Sequence, residues 1–174
     1  MMSRIGIFLM WLLHFLPLQL LAQVGNALGL LLYWFAGERR FVAATNLRLC
    51  FPELTEAERR VLARKNFQAF ARSFLERGIL WWSPASRIQG YIRVEGLEHY
   101  TAAQACGPVI LLVPHFVALD IGWSWLTQRG NLVSVYSNQK NPYFHKRLLD
   151  GRLRFGTSQL YSRQQGLRPI VKAM

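Results

Sequence analysis

The sequence predicts an α/β protein: an N-terminal membrane-anchoring helix, then further helices, then a mainly parallel sheet with His-x4-Asp at a strand end. Three observations predict it. Ile5 to Gly37 carries no formal charge and is dominated by Leu, Phe, Trp, Ile and Val. Val109-Ile110-Leu111-Leu112-Val113 is an unbroken apolar run between Gly107-Pro108 and Pro114, the pattern of a strand buried on both faces. After Gly90, strand-like and helix-like segments alternate, as in α/β domains.

The first stretch is long enough to span a bilayer, which takes about 20 apolar residues. Pro17 should break it, so a short helix is expected over Ser3–Phe15 and a longer one over Leu18–Phe35. Neither the length nor a small-residue cleavage site fits a signal peptide. Arg39, Arg40 and Arg48 follow the stretch and Arg4 alone precedes it, which places the following domain in the cytoplasm by the positive-inside rule. The anchor is expected to be single-pass or interfacial.

Glu38–Leu49 reads as a helix ended by Phe51-Pro52, since proline disfavours helix at the residue before it. Thr55-Glu56-Ala57-Glu58 is a capping box, opening a helix expected to run to about Arg77. Phe67, Phe70 and Phe74 fall at helical spacing and are expected on one packed side. Tyr91–Val94 is expected as an edge strand, Val109–Val113 as the buried strand and Phe116–Gln128 as a helix. A strand over Asn131–Tyr136, a helix over Pro142–Asp150, a strand over Gln159–Tyr161 and a helix over Gly166–Met174 complete the reading. The implied organisation is an anchor (1–37), a helical segment (38–89) and the N-terminal part of an α/β domain (90–174), its sheet expected to be incomplete.

Composition narrows the classes. The chain has 174 residues, enough for one domain or for a domain with an anchor. It is 52% hydrophobic, which excludes a disordered chain. Cys50 and Cys106 cannot build a disulfide scaffold, and no CxxC or Cys/His cluster suggests structural zinc. Lys and Arg outnumber Asp and Glu by 21 to 9, a net charge of +12. The excess is concentrated late: Lys140, Lys146, Arg147, Arg152, Arg154, Arg163, Arg168 and Lys172 face Asp150 alone after Asn138. A membrane, a nucleic acid or an acidic protein would each suit that charge.

The chemistry-bearing residues are His115 and Asp120. An imidazole titrating near neutrality can take a proton from a hydroxyl. A carboxylate across the first turn of the following helix can bond the other ring nitrogen and stabilise the imidazolium. No serine nucleophile follows and there is no GxSxG elbow, so the proton would come from the acceptor substrate. A second match, His145 with Asp150, sits in a predicted polar helix and reads as surface residues.

The anchor, Cys50-Phe51-Pro52-Glu53-Leu54-Thr55, Pro114–Asp120, Tyr136–Pro142, Gly151-Arg152-Leu153-Arg154-Phe155-Gly156 and Ser162-Arg163 occur in order. Together they resemble the bacterial lipid A biosynthesis lauroyl/myristoyl acyltransferases, within the lysophospholipid acyltransferase superfamily. The resemblance covers essentially the whole chain. It implies an inner-membrane enzyme that moves a fatty acyl chain from acyl carrier protein to a hydroxyl of a lipid A precursor, on the cytoplasmic side. His115 would be the general base and Asp120 its acidic partner. Backbone amides at the start of the next helix are candidates for the oxyanion. Lys140, Arg152, Arg154 and Arg163 would contact lipid phosphates, or the same basic surface would dock the acidic carrier. No metal or organic cofactor is expected, and no nucleic acid.

The chain departs from the family pattern at His145, where an acidic residue is expected after Asn-Pro-x-Phe. It also ends at Val171-Lys172-Ala173-Met174 in mid-helix pattern where relatives continue, so a C-terminally truncated product or fragment is expected. The competing readings are acyl transfer to a lysophospholipid or amino-acid lipid, and an inactive fragment binding anionic lipid or nucleic acid through its basic third. Nucleic-acid binding predicts a steep salt dependence and indifference to His115.

Overall fold

The structure is a computed structural model, and it describes residues 2–166 and 168–173. The chain forms two compact units, one of Leu9–Ile79 and one of Met1–Phe8 with Leu80–Met174.

The first helices follow the sequence closely. Helix α1 covers Met2–Leu13, and α2 covers Leu18–Phe35 behind an extended Pro17. Helix α3 spans Gly37–Cys50 and α4 spans Glu56–Trp82. The capping box forms: the Thr55 amide donates to Glu58 Oε2 at 2.8 Å and the Glu58 amide to Thr55 Oγ1 at 3.3 Å. Arg59 donates to the Phe51 carbonyl at 3.0 Å, bracing the turn before α4.

In Leu9–Ile79, α2 packs antiparallel on α4. Its buried residues are Leu21, Gly25, Gly29 and Tyr33, a stripe of period four on one helical face. Opposite lie buried Ala63, Phe67, Ala71, Leu75 and Ile79. The two glycines let the backbones touch. A Cβ on Gly29 would lie 2.4 Å from Gln68 Cα, and one on Gly25 would lie 2.8 Å from Arg72 Cα. At the other end of the seam Tyr33 and Phe67 meet edge to face, with ring centroids 5.5 Å apart. The expected aromatic stripe is therefore corrected: Phe67 is buried, Phe74 half-buried and Phe70 exposed. The small residues Ala63 and Ala71 set the contact face, and Phe70 is rotated about 60° off it.

In the other unit the order is α5 (Ala85–Gln89), α6 (Leu97–Ala105), α7 (Leu119–Leu126), β1 (Val133–Tyr136), α8 (Pro142–Arg152), β2 (Gln159–Ser162), a 3-10 turn (Arg163–Gln165) and α9 (Arg168–Ala173). Of the helix expected over Gly166–Met174, Leu167 and Met174 lie outside the described residues. Strands β1 and β2 pair in parallel, with Val133 opposite Gln159 and Tyr136 opposite Ser162. Buried Leu80, Trp81, Ile88, Trp125 and Leu148 form the apolar interior of this unit.

Two expected strands are absent. Tyr91–Val94 is turn and coil, because the Tyr91 and Ile92 amides donate to Ile88 and Gln89 carbonyls at 3.0 and 3.1 Å and continue the turns of α5. Val109–Val113 is coil, and among the described residues its backbone has no ladder partner. Ile110 and Leu112 are 84% and 97% exposed. An apolar run becomes a strand only when a neighbour satisfies its backbone, and β1 is paired with β2 instead. The structure is thus mostly helical with a small parallel sheet, broadly α/β. Helix α6 has no counterpart in the sequence reading.

Replacing Gly29 with Leu should force α2 off Gln68. The expected outcome is a loss of about 1–3 kcal/mol, read as a lower denaturation midpoint by circular dichroism in detergent, with exposed Leu28→Ala shifting it far less.

Candidate active site

Asp120 lies in the first turn of α7 and is held from α8. Arg152 donates from Nε and Nη2 to the same Asp120 oxygen, Oδ1, at 3.0 and 2.8 Å. The Asp120 and Arg152 side chains are 14% and 24% exposed, so little water competes for the pair. A second tie runs beside it: Trp123 Nε1 donates to the Arg152 carbonyl at 2.9 Å. Helices α7 and α8 are thereby joined through both the side chain and the backbone of one arginine.

The segment around Arg152 shows why its residue types are needed. Gly151 is buried and lies against an indole: a Cβ there would sit 2.2 Å from Trp81 Cδ1. Arg154 donates to the Leu80 and Trp82 carbonyls at 2.9 and 3.3 Å. Arg147 adds a contact to the Trp81 carbonyl at 3.5 Å. These are the last carbonyls of α4, which lack intrahelical donors and attract cations. Burial, then the neighbouring Arg147 charge, push Arg154 down from the ordinary arginine value. Gly156 has φ +78°, and a Cβ there would lie 1.8 Å from the Thr127 carbonyl oxygen, so only glycine fits.

The remaining expected residues fall in two places. Lys140 is exposed in the loop after β1, next to Asn141, whose side chain caps α8 by accepting from the Phe144 amide at 2.9 Å. Arg163 is exposed in the turn after β2. Parallel pairing brings these two loops to the same end of the sheet: Ser162 Oγ lies 3.4 Å from Asn138 Oδ1. Open α/β sheets gather ligands at the carboxyl ends of their strands. His115 is exposed in the coil before α7. The second histidine match is resolved differently: Asp150 pairs with Lys146 at 2.9 Å, and His145 Nδ1 faces the Gln139 amide at 3.4 Å. Among the described residues no cluster of His, Cys, Asp and Glu could hold a metal ion.

The sequence matches the family described as bacterial lipid A biosynthesis acyltransferase over residues 1–174. The chain belongs to that family. It is 34% identical to the lipid A biosynthesis lauroyltransferase of Escherichia coli K12, over 99% of this chain and 56% of that protein. It is 32% identical to a lipid A biosynthesis acyltransferase of Haemophilus influenzae, over 91% of this chain and 51% of the relative. The palmitoleoyltransferase of Escherichia coli K12 is 28% identical, over 97% and 55%. The chain spans about half the length of the curated relatives it matches. No solved structure matches it.

Sequence reasoning singled out Asp120 and Arg152 separately but not their pairing. The two stand 32 residues apart, a separation that no helical or strand period encodes. Trp123 and Trp81, which position Arg152 and Gly151, gave no signal at all.

Arg152→Gln should cost about 2 kcal/mol, below the 3–5 kcal/mol of a fully buried pair losing one partner. Equilibrium unfolding checks this, with exposed Lys140→Gln expected to stay within about 0.5 kcal/mol of the parent.

Proposed function

We propose that this chain carries the catalytic pair of an O-acyltransferase that moves a fatty acyl chain from acyl carrier protein thioester to a hydroxyl of a lipid A precursor. The observation that carries the reading is the family match over the whole chain. Asp120, five residues after His115 in the sequence, is held in one place at the start of α7 by Arg152, which fits the role of acidic partner.

The step needs one proton moved twice. His115 takes the acceptor hydroxyl proton as the oxygen attacks the thioester carbonyl carbon, and Asp120 stabilises the resulting imidazolium. The tetrahedral oxyanion requires donors, and the Leu119 and Ile121 amides at the start of α7 are already engaged by the Phe116 and Ala118 carbonyls at 3.1 and 3.0 Å, so they are not assigned to it. Collapse expels the carrier's thiol, which recovers the proton from His115. Arg152 holds Asp120 in place. Lys140 and Arg163, exposed at one end of the sheet, are assigned to acceptor phosphates. Arg154 is assigned to capping α4, because its Nη1 and Nη2 donate to the Leu80 and Trp82 carbonyls.

Apolar α2 fits membrane association. The arginines that follow it favour an inner-membrane enzyme working from the cytoplasmic side, where an acidic carrier protein would meet the basic surface.

Mass spectrometry of lipid A, after incubating the chain with acyl carrier protein thioester and underacylated precursor, tests the reading. The expected product is heavier by one acyl group. His115→Ala should slow its formation about 10²–10⁴-fold. Arg163→Ala should raise the acceptor KM with little change in kcat. No acyl transfer by verified folded protein would contradict the assignment.

A further inference from the structure

We infer that α2 does not cross the bilayer but lies in its surface, as the lipid-facing helix of a one-sided anchor seated on an anionic phospholipid leaflet. This rests on the membrane association proposed above and specifies its geometry.

By length and composition α2 qualifies as a span. It has 18 residues and a mean hydropathy of 1.3. At 1.5 Å per residue it is about 27 Å long, against a hydrocarbon core of about 30 Å. Its packing partner argues the other way. Gly25 and Gly29 flank the midpoint of α2, and there the backbone of α4 touches it at Gln68 and Arg72. One turn to either side on α4 stand Arg64, Lys65, Glu76 and Arg77. If α2 crossed, this antiparallel seam would carry those charges to the bilayer centre, the most costly place for them. Glu76 already registers its partial burial, which pushes its carboxyl up against the opposing pull of Arg72.

The alternative placement satisfies every face. An interfacial helix needs an apolar side in the acyl chains and a charged side in water. Helix α2 has no charged side of its own; α4 supplies it. Leu20, Val24, Leu28, Leu31, Trp34 and Phe35 remain exposed on α2, and these are the groups that would enter the lipid. Headgroup-level chemistry gathers at its C-terminal end. Arg40 and Arg64 stack over the Tyr33 ring at 5.4 and 5.6 Å. Beside them a groove of about 350 Å³ is lined by Tyr33, Arg40, Arg59 and Arg60, among others. Aromatic rings and arginines in that combination mark the membrane–water boundary, and the arginines match an anionic leaflet.

The test is spin-label depth measurement in vesicles of phosphatidylethanolamine and phosphatidylglycerol. The chain, with Cys50 and Cys106 replaced by Ser, is labelled singly through Leu20→Cys, Leu28→Cys or Trp34→Cys. In parallel, protease access to an N-terminal tag and maleimide labelling of native Cys106 are compared in inside-out bacterial membrane vesicles. The expected result is three similar, shallow depths of about 5–10 Å, with tag and Cys106 both reached from the outer, cytoplasmic face. A Leu28 label about 10 Å deeper than the other two, or a tag and Cys106 on opposite sides, overturns the proposal. Failure to float with the vesicles overturns it together with the membrane association. None of these readouts depends on acyl transfer, so a failure of the chemistry alone leaves this inference standing.

Discussion

The ion pair between Arg152 and Asp120 is the constraint around which the candidate site is arranged. Two donors on one carboxylate oxygen, at 3.0 and 2.8 Å, fix the carboxylate where α7 begins. The neighbours serve the same geometry. Trp123 fastens the Arg152 carbonyl, Gly151 leaves room for the Trp81 indole, and Gly156 turns the chain against the Thr127 carbonyl. A partly buried pair of this kind stabilises less than its Coulomb energy suggests, because both ions lose water. Its value here is positional: it holds the Asp120 carboxylate in one place at the start of α7.

This arrangement changes how the Gly151–Gly156 segment reads. Met as sequence, its two arginines looked like phosphate ligands, because Arg offers a fork to phosphate. In the fold the same donors meet a carboxylate from Arg152 and helix-end carbonyls from Arg154. Guanidinium chemistry is common to all three uses, and only the fold decides among them. Lys140 and Arg163 are left exposed at the end of the sheet, where a ligand can reach them.

Local signals were legible and long-range ones were not. The α2 bounds, the Thr55–Glu58 box, the Asn141-Pro142 start of α8 and both paired strands could be read from the chain, since each depends on residues a few positions apart. The His-x4-Asp spacing of His115 and Asp120 was readable for the same reason. The run Val109–Val113 failed because apolar continuity reports what a segment would bury, not whether a strand lies beside it. Tyr91–Val94 failed because its amides turn back onto α5. Phe70 was misplaced because two alanines, rather than the aromatics, set the α4 seam. The α2–α4 seam itself was illegible: nothing in the apolar pattern of α2 marks Gly25 and Gly29 as the points where a charged helix approaches it.

If Arg152 acts through Asp120, a double-mutant cycle on the acyl-transfer rate will show the two residues coupled. Asp120→Asn, Arg152→Gln and the double variant are compared with the parent under saturating acceptor. Strong non-additivity is expected, with the double variant no slower than the slower single variant and a coupling above about 1 kcal/mol. Losses that simply multiply would contradict it and return Arg152 to independent contact with the substrate.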